Sequence, residues 1–355
     1  MAFLSSVPFW IIALLMLGIL ILVHESGHFL IGRLLKFKIN EFAIGMGPKI
    51  LSKEKKGIVY SLRLIPMGGF VAFHGEDEDG EDDPEAMNNQ KWYKRALVMF
   101  AGAGFNLLFA YLVTAILTCA IGYSLPKLEE IQPQSALYGV AQEGDVVVAV
   151  GSERLVSAGQ LSDELGRYGS EDTFTLTLLR NGEERQMEAK KYRDAETGRY
   201  LVGVSYGVET VNQNIFQALG YSARYNVWMT KTMYRTLWQL VTGQVSLENV
   251  TGPISTIGAI GGIMQDTAQE ESVPASERVR AVVVMVMELL VIISVNLAVM
   301  NLLPIPALDG FRLLFALFEG ITKKHIPRKT EGMINAIGLI VLVGAMVLLE
   351  VSKLF

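Results

Sequence analysis

The sequence is poor in cysteine, in histidine and in charge. Its one cysteine, Cys119, lies in an apolar run, so the chain forms no internal disulfide and offers no thiolate cluster to a metal. Only 19% of residues are charged against 51% hydrophobic, too apolar a balance for one soluble domain of 355 residues and suited to a membrane bundle carrying at least one soluble part. The net charge of -5 is dominated by Glu76 to Glu85, where eight of ten residues are acidic, and that run reads as a solvated linker. No extended basic surface is left to argue for nucleic acid. The first apolar run lacks a basic leader and a small-residue cleavage site, so it is expected to be a retained span and not a removed signal.

Of only four histidines, two share one helical turn, His24 and His28, in His24-Glu25-Ser26-Gly27-His28. Histidines four apart project from the same helical face, close enough to grip one divalent ion, and Glu25 beside them is positioned to take a proton from water. This is the machinery of metal-assisted hydrolysis. The same pattern arises by chance in soluble helices. Here Phe9 to Val23 carries no charge, and three polar side chains in one turn of a membrane-spanning segment have no inexpensive structural explanation.

Four segments are long and apolar enough to cross a bilayer: Pro8 to Gly32, Ala96 to Leu125, Ala281 to Leu303 and Gly332 to Leu349. Arg312, Lys323, Lys324, Arg328 and Lys329 put the last connection in the cytoplasm, and Arg33, Lys36, Lys38, Lys91, Lys94 and Arg95 agree. Both termini and the segment from Pro126 to Arg280 then face outward, with His24 inside the membrane toward the cytoplasmic side. Between the first two spans, Ile58 to Leu64 alternates, and Gly45-Met46-Gly47-Pro48 and Pro66-Met67-Gly68-Gly69 supply breaks, which predicts a β-hairpin or small sheet. Its free edge either binds an unwound substrate by strand addition or merely caps the membrane surface. In the outward segment, Gly144 to Val150 reads as a turn into a strand and Ser157 to Gly166 as a short helix. Thr173 to Arg180, Asn181-Gly182 and Glu183 to Ala189 form the clearest hairpin signal. Ile215 to Val241 is amphipathic, a helix for the membrane surface or the bundle. The expected divisions are 1–125, 126–210, 211–280 and 281–355.

The chain resembles the bacterial site-2 intramembrane metalloproteases of the regulator of sigma-E protease type. The likeness rests on Val23 to Phe29, Met67 to Val71, Ala101-Gly102 to Asn106, Thr251-Gly252-Pro253-Ile254-Ser255, and Asn301 to Gly310 (Asn-Leu-Leu-Pro-Ile-Pro-Ala-Leu-Asp-Gly), in family order over nearly the whole length. The resemblance implies a polytopic α-helical membrane protein of four spans, with a membrane-associated β-hairpin and an inserted extracytoplasmic PDZ-like α+β domain. It implies a Zn2+ held by His24, His28 and Asp309, with Glu25 as catalytic base. It puts Asn106 and Asn301 near substrate or its oxyanion, and has Pro304 and Pro306 shape the backbone that brings Asp309 inward. The implied partners are the lipid bilayer and single-span membrane proteins, such as anti-sigma factors and remnant signal peptides, in the inner cell membrane. Leu137 to Val140 stands near the usual PDZ ligand loop, although one such domain replaces the common tandem. Ser26, Ala103 and Phe311 depart locally from the family pattern, and none of them removes a proposed ligand or the base.

Two other readings stay in view. A catalytically silent adaptor using the PDZ-like domain would be marked by loss of Glu25 or a ligand, and all are present. A metal transporter would line several spans with polar residues at matching depth. Glu288 and Asn296 are isolated, and His74 and His325 sit among charges in connecting segments.

Overall fold

A computed structural model describes residues 2–76, 83–195, 197–244, 258, 261–266, 274–324 and 328–351. They form two compact units, Met1–Val113 with Met229–Phe355, and Thr114–Trp228.

The first unit opens with helix α1 (Ala2–Leu34), whose apolar stretch runs Ile11–Leu34. Strands β1 (Ile39–Lys55) and β2 (Ile58–Phe73) follow, then helix α2 (Trp92–Ile121). The two long strands fold back on themselves. Phe42 pairs with Val71 on one side and Tyr60 on the other, and Leu51 pairs with Leu62, so the segments lie in the order 69–73, 39–46, 58–65, 49–55. Gly45, Gly47 and Gly68 take positive φ (+85°, +83°, +86°) at the folds, where any Cβ would be strained. These are the breaks predicted from the sequence, but the sheet is more than twice as long as the Ile58–Leu64 signal. The start of the sheet is bound to α1 and α2 by a core of Phe37, Ile39, Val71, Phe73, Met87, Val98 and Met99.

The second unit is built on an antiparallel sheet ordered β10-β3-β4-β6-β7, with β5 beside β4. Its strands are β3 (Tyr123–Ile131), β4 (Val146–Val150), β5 (Glu153–Arg154), β6 (Thr173–Arg180), β7 (Glu183–Lys190) and β10 (Val204–Val211). A short helix α3 (Gln160–Gly166) and a small pair β8 (Tyr192–Arg193) and β9 (Tyr200–Leu201) complete it. The predicted hairpin is there in register, Arg180 opposite Glu183, with Asn181 and Gly182 both at positive φ as a type I′ turn requires. Leu125, Leu128, Leu137, Val147, Leu161, Leu176 and Leu178 fill the core. One boundary is corrected: α2 stops at Ile121 and Gly122 turns at φ +76°, so Tyr123–Leu125 belong to a strand and not to a span. Helix α4 (Ile215–Val241) has the predicted limits.

The rest of the first unit is α5 (Ala275–Asn301), α6 (Asp309–Thr322) and α7 (Arg328–Val351). Among the described residues, three helices are long and apolar enough to cross a membrane: α1, α2 and α5. In α7 the apolar stretch among the described residues is Thr330–Ala345. The Thr251–Ser255 motif, His325 and most of the acidic run lie outside the described residues.

Candidate metal and catalytic site

The site is assembled on α1 because small residues let α2 come close. A Cβ on Gly27 would stand 2.4 Å from the carbonyl oxygen of Ala101, and one on Gly102 would stand 2.4 Å from His28 Nε2 and 2.6 Å from His24 Cε1. Small side chains at both positions are the usual device by which helices pack closely in a membrane. With that groove open, both imidazoles pack against Gly102 of α2. His24 and His28 are 8% and 6% exposed, and their rings meet edge to face at 4.8 Å.

The third group arrives from 285 residues away in the chain. After α5 ends at Asn301, Pro304 and Pro306 deny the backbone two amide donors and the chain runs irregularly to Leu308. Ala307 takes φ +79°, and its N–H donates to Asn335 Oδ1 of α7 at 3.0 Å, which pins the strained turn. Helix α6 then starts on Asp309. Gly310 is obligatory there, since a Cβ would fall 2.4 Å from the carbonyl oxygens of Leu302 and Leu303. At the far end of the same helix, a Cβ on Gly320 would meet the Trp92 ring at 2.4 Å, and Glu319 pairs with buried Arg95, so that end of α6 is fastened to the start of α2.

Asp309 Oδ2 lies 3.0 Å from His24 Nε2 and 3.1 Å from His28 Nε2, and the two nitrogens are 3.1 Å apart. Tetrahedral zinc with bonds of ~2.0–2.1 Å separates its ligand atoms by roughly 3.3 Å, close to this triangle. The tautomers agree as well. His28 Nδ1 donates to the Val98 carbonyl at 2.8 Å, which leaves the Nε2 lone pair facing Asp309. Two imidazoles and a carboxylate with room beside them fit a catalytic divalent metal, and zinc among such metals.

That room is a cavity of about 580 Å3, lined by His24, Glu25, His28, Asp309 and, on one wall, by the strand residues Phe70 to Phe73. A Cβ on Gly69 would touch Glu25 Cγ at 3.1 Å, so the strand and Glu25 are in contact. Asn106 is wholly buried with its Nδ2 placed 3.2 Å from His24 Nδ1, and it stands behind His24 away from the cavity wall. Asn301 is the half-buried last residue of α5. Pro304 is exposed, and Pro306 packs against α7, where a Cβ on Gly338 would meet its own Cβ at 2.3 Å. Neither Asn301 nor the two prolines line the cavity. Sequence reasoning missed three residues that do, Glu76, Arg312 and Asn335; the first two form an ion pair at its rim. Arg312 one turn after Asp309 was the available signal. Asn335 had none.

The profile of peptidase family M50 matches residues 12–345. A protein of Clostridium acetobutylicum named as a zinc metalloprotease is 32% identical over 344 residues, 96% of both chains. One of Fusobacterium nucleatum, similarly named, is 28% identical over 98% of each chain. The zinc metalloprotease RasP of Geobacillus kaustophilus is 25% identical across 95% of this chain and 96% of its own. With a family match over nearly its whole length and a relative above 30% identity, the chain belongs to peptidase family M50.

Proposed function

We propose that the protein is a zinc endopeptidase that cuts peptide bonds within membrane-spanning segments, with His24, His28 and Asp309 as ligands and Glu25 as general base. The observation that carries this reading is the convergence of three ligand atoms, from α1 and from the start of α6, on the wall of a cavity that also exposes Glu25. Zinc bound there supplies Lewis acidity for polarising a carbonyl and activating water. Glu25 takes the proton of the attacking water as the C–O bond forms and delivers it to the leaving nitrogen as the C–N bond breaks. Asn106 acts as a positioning residue. A ligating His24 Nε2 requires the proton on Nδ1, so the Asn106 amide must present Oδ1 to it, the atom that otherwise has no partner among the described residues. Either orientation leaves one amide atom unpaired, so the ligand tautomer makes the choice.

A helical substrate hides its carbonyls in its own hydrogen bonds and must unwind to be cut. Segment 69–73 pairs on one side only among the described residues and faces the cavity, so an extended substrate adds as the next strand. The amide of Asn335 is oriented by Ala307 N–H, which must meet its oxygen; its NH2 group is left to donate to a substrate carbonyl. Pro304 and Pro306 hold the non-helical path that begins after Asn301. We read the sheet unit as a PDZ-like extracytoplasmic domain that screens substrates by size, with α7 as a fourth, short span in the inner membrane. The substrates are single-span proteins such as anti-sigma factors and remnant signal peptides.

The test is Glu25→Gln in the full chain with a model single-span substrate. Cleavage should vanish while zinc content and membrane insertion are kept. Undiminished cleavage would remove Glu25 as base.

A further inference from the structure

A second cavity, of about 530 Å3, lies at the other end of the re-folded sheet and is lined by Arg33, Lys53, Lys55, Lys56, Ile58 and Tyr60. Four cations and no carboxylate line it, and none of the four is in an ion pair among the described residues. The convergence is built into the fold. Lys53 pairs across the strands with Tyr60 and Lys55 with Ile58, and cross-strand partners share a face. Glu54, paired with Val59, points to the opposite face. Lys56 and Gly57, both at positive φ, close the two-residue turn that brings the arms together. The same face is joined to α1 by ring contacts of Phe29 with Tyr60 at 6.0 Å and with Phe42 at 5.1 Å, and Arg33 is one turn beyond Phe29. The cavity thus joins four cations to the apolar surface of Ile58 and Tyr60.

Its depth follows from two contacts. Phe73 packs on Gly32 at the end of α1, whereas Gly69 packs on Ile21 and Glu25, so the sheet descends alongside the apolar helix and the folds at 45–48 and 66–68 are its deepest part. The deep half exposes Met46, Ile50, Leu62, Leu64 and Ile65, and its charges are neutralised internally, Glu41 meeting Arg63 at 2.8 Å and Lys49 at 3.0 Å. The shallow half, level with Arg33 where the apolar run of α1 stops, holds Lys53, Lys55 and Lys56, which with Arg33 are the four cations that make no ion pair among the described residues. Unpaired cations beside an apolar surface at the end of a membrane span match the phosphate of an anionic lipid with its acyl chains directed along the sheet.

We infer that Arg33, Lys53, Lys55 and Lys56 form a binding site for the phosphodiester headgroup of an anionic phospholipid, which tethers the strand-bearing sheet to the membrane surface. The site is independent of the peptidase chemistry. A surface cation contributes about a fivefold preference for anionic lipid, so removal of two reduces it roughly 25-fold.

The experiment is native mass spectrometry of the full chain from micelles holding equimolar phosphatidylglycerol and phosphatidylcholine. Wild type should retain phosphatidylglycerol selectively. K53Q/K55Q and R33Q/K56Q, two variants that alter different elements, should each lose most of that selectivity while keeping bound zinc. K91Q/K94Q, with the same charge change outside the cavity, should keep it. Equal retention by wild type and both cavity variants overturns the assignment, as does equal loss in K91Q/K94Q. Displacement of the lipid by millimolar inorganic phosphate alone also overturns it, since the site would then take free phosphate.

Discussion

Replacing Gly102 by alanine tests the way α2 supports the two histidines proposed to hold the metal. The added Cβ would lie 2.4 Å from His28 Nε2, 2.6 Å from His24 Cε1 and 2.7 Å from His24 Nε2. An ordinary contact is ~3.5 Å, so the rings or the helix must retreat by roughly 1 Å. Neither yields easily, because His28 is tied to Val98 O, His24 to Asn106, and Gly27 leaves α1 in contact with the Ala101 backbone. Overpacking of this kind costs about 1–3 kcal/mol. Charged wholly to the metal-binding geometry, that weakens zinc between about fivefold and 150-fold. A ~1 Å displacement of reacting groups further lowers the cleavage rate on the order of 10²-fold. Gly104→Ala is the matched control. It adds the same methyl to the same helix, but its Cβ would approach only the ring edge of Phe100, at 3.2 Å, and that ring is 45% exposed and free to shift. The assay is zinc retention against graded chelator, measured beside cleavage of a single-span substrate for both variants. Wild-type zinc affinity and rate in Gly102→Ala would refute the packing argument.

The remaining tests address separate supports. Asn106→Asp keeps an acceptor for His24 Nδ1 and should hold zinc within a few-fold of wild type, whereas Asn106→Leu should lose roughly 10–100-fold in affinity; equal affinities in a chelator titration would remove the positioning role. Gly310→Ala forces a Cβ into the Leu302 and Leu303 carbonyls, so α6 cannot start where it does. Zinc should be lost with His24 and His28 intact, and normal metal content would contradict the helix-start constraint. In the sheet unit, burial pushes the Asp145 carboxyl up, but the Arg180 guanidinium, at 2.7 and 2.6 Å, and the Gln142 N–H outweigh it and hold the pKa below the usual range. A carboxylate with a depressed pKa adds stability that is complete above its unfolded value near 4 and is lost as pH falls through the folded value. Amide exchange in β4 and β6 should therefore quicken below pH ~4 in wild type, and show a flatter profile in Asp145→Asn. Arg180→Met leaves the Asp145 carboxylate without its guanidinium partner and should lower the stability of this unit at neutral pH, read as a lower denaturation midpoint.

Much of this was legible where local rules suffice. The hairpin at Asn181-Gly182 and the limits of α4 follow from turn chemistry and periodicity within one segment. Apolar length marked α2 as a span but could not mark its end, because Tyr123 and Leu125 are as apolar as the helix before them and only the positive φ of Gly122 divides helix from strand. The β1–β2 sheet was under-read for a related reason. Its residues 39–55 alternate poorly, since each segment has different neighbours on its two sides and the deep half is apolar on the exposed face too.

The same distinction separates the ligands from the residues behind them. His24, Glu25 and His28 stand in one turn, and their chemistry is visible in any helix, while Asp309 came from the family motif and has no local mark beyond a glycine after it. Asn106 stands beside His24 and off the cavity wall: an amide 82 positions from His24 gives no sign of which face it presents until α2 is seen to lie within reach of Gly27 and Gly102. Asn335 stayed invisible because its role depends on the positive φ of Ala307, a conformation that alanine does not advertise. Both asparagines hold something else in position, one an imidazole and one a strained turn. Such residues are fixed by the geometry of their clients, so they emerge only when the backbone of those clients is known.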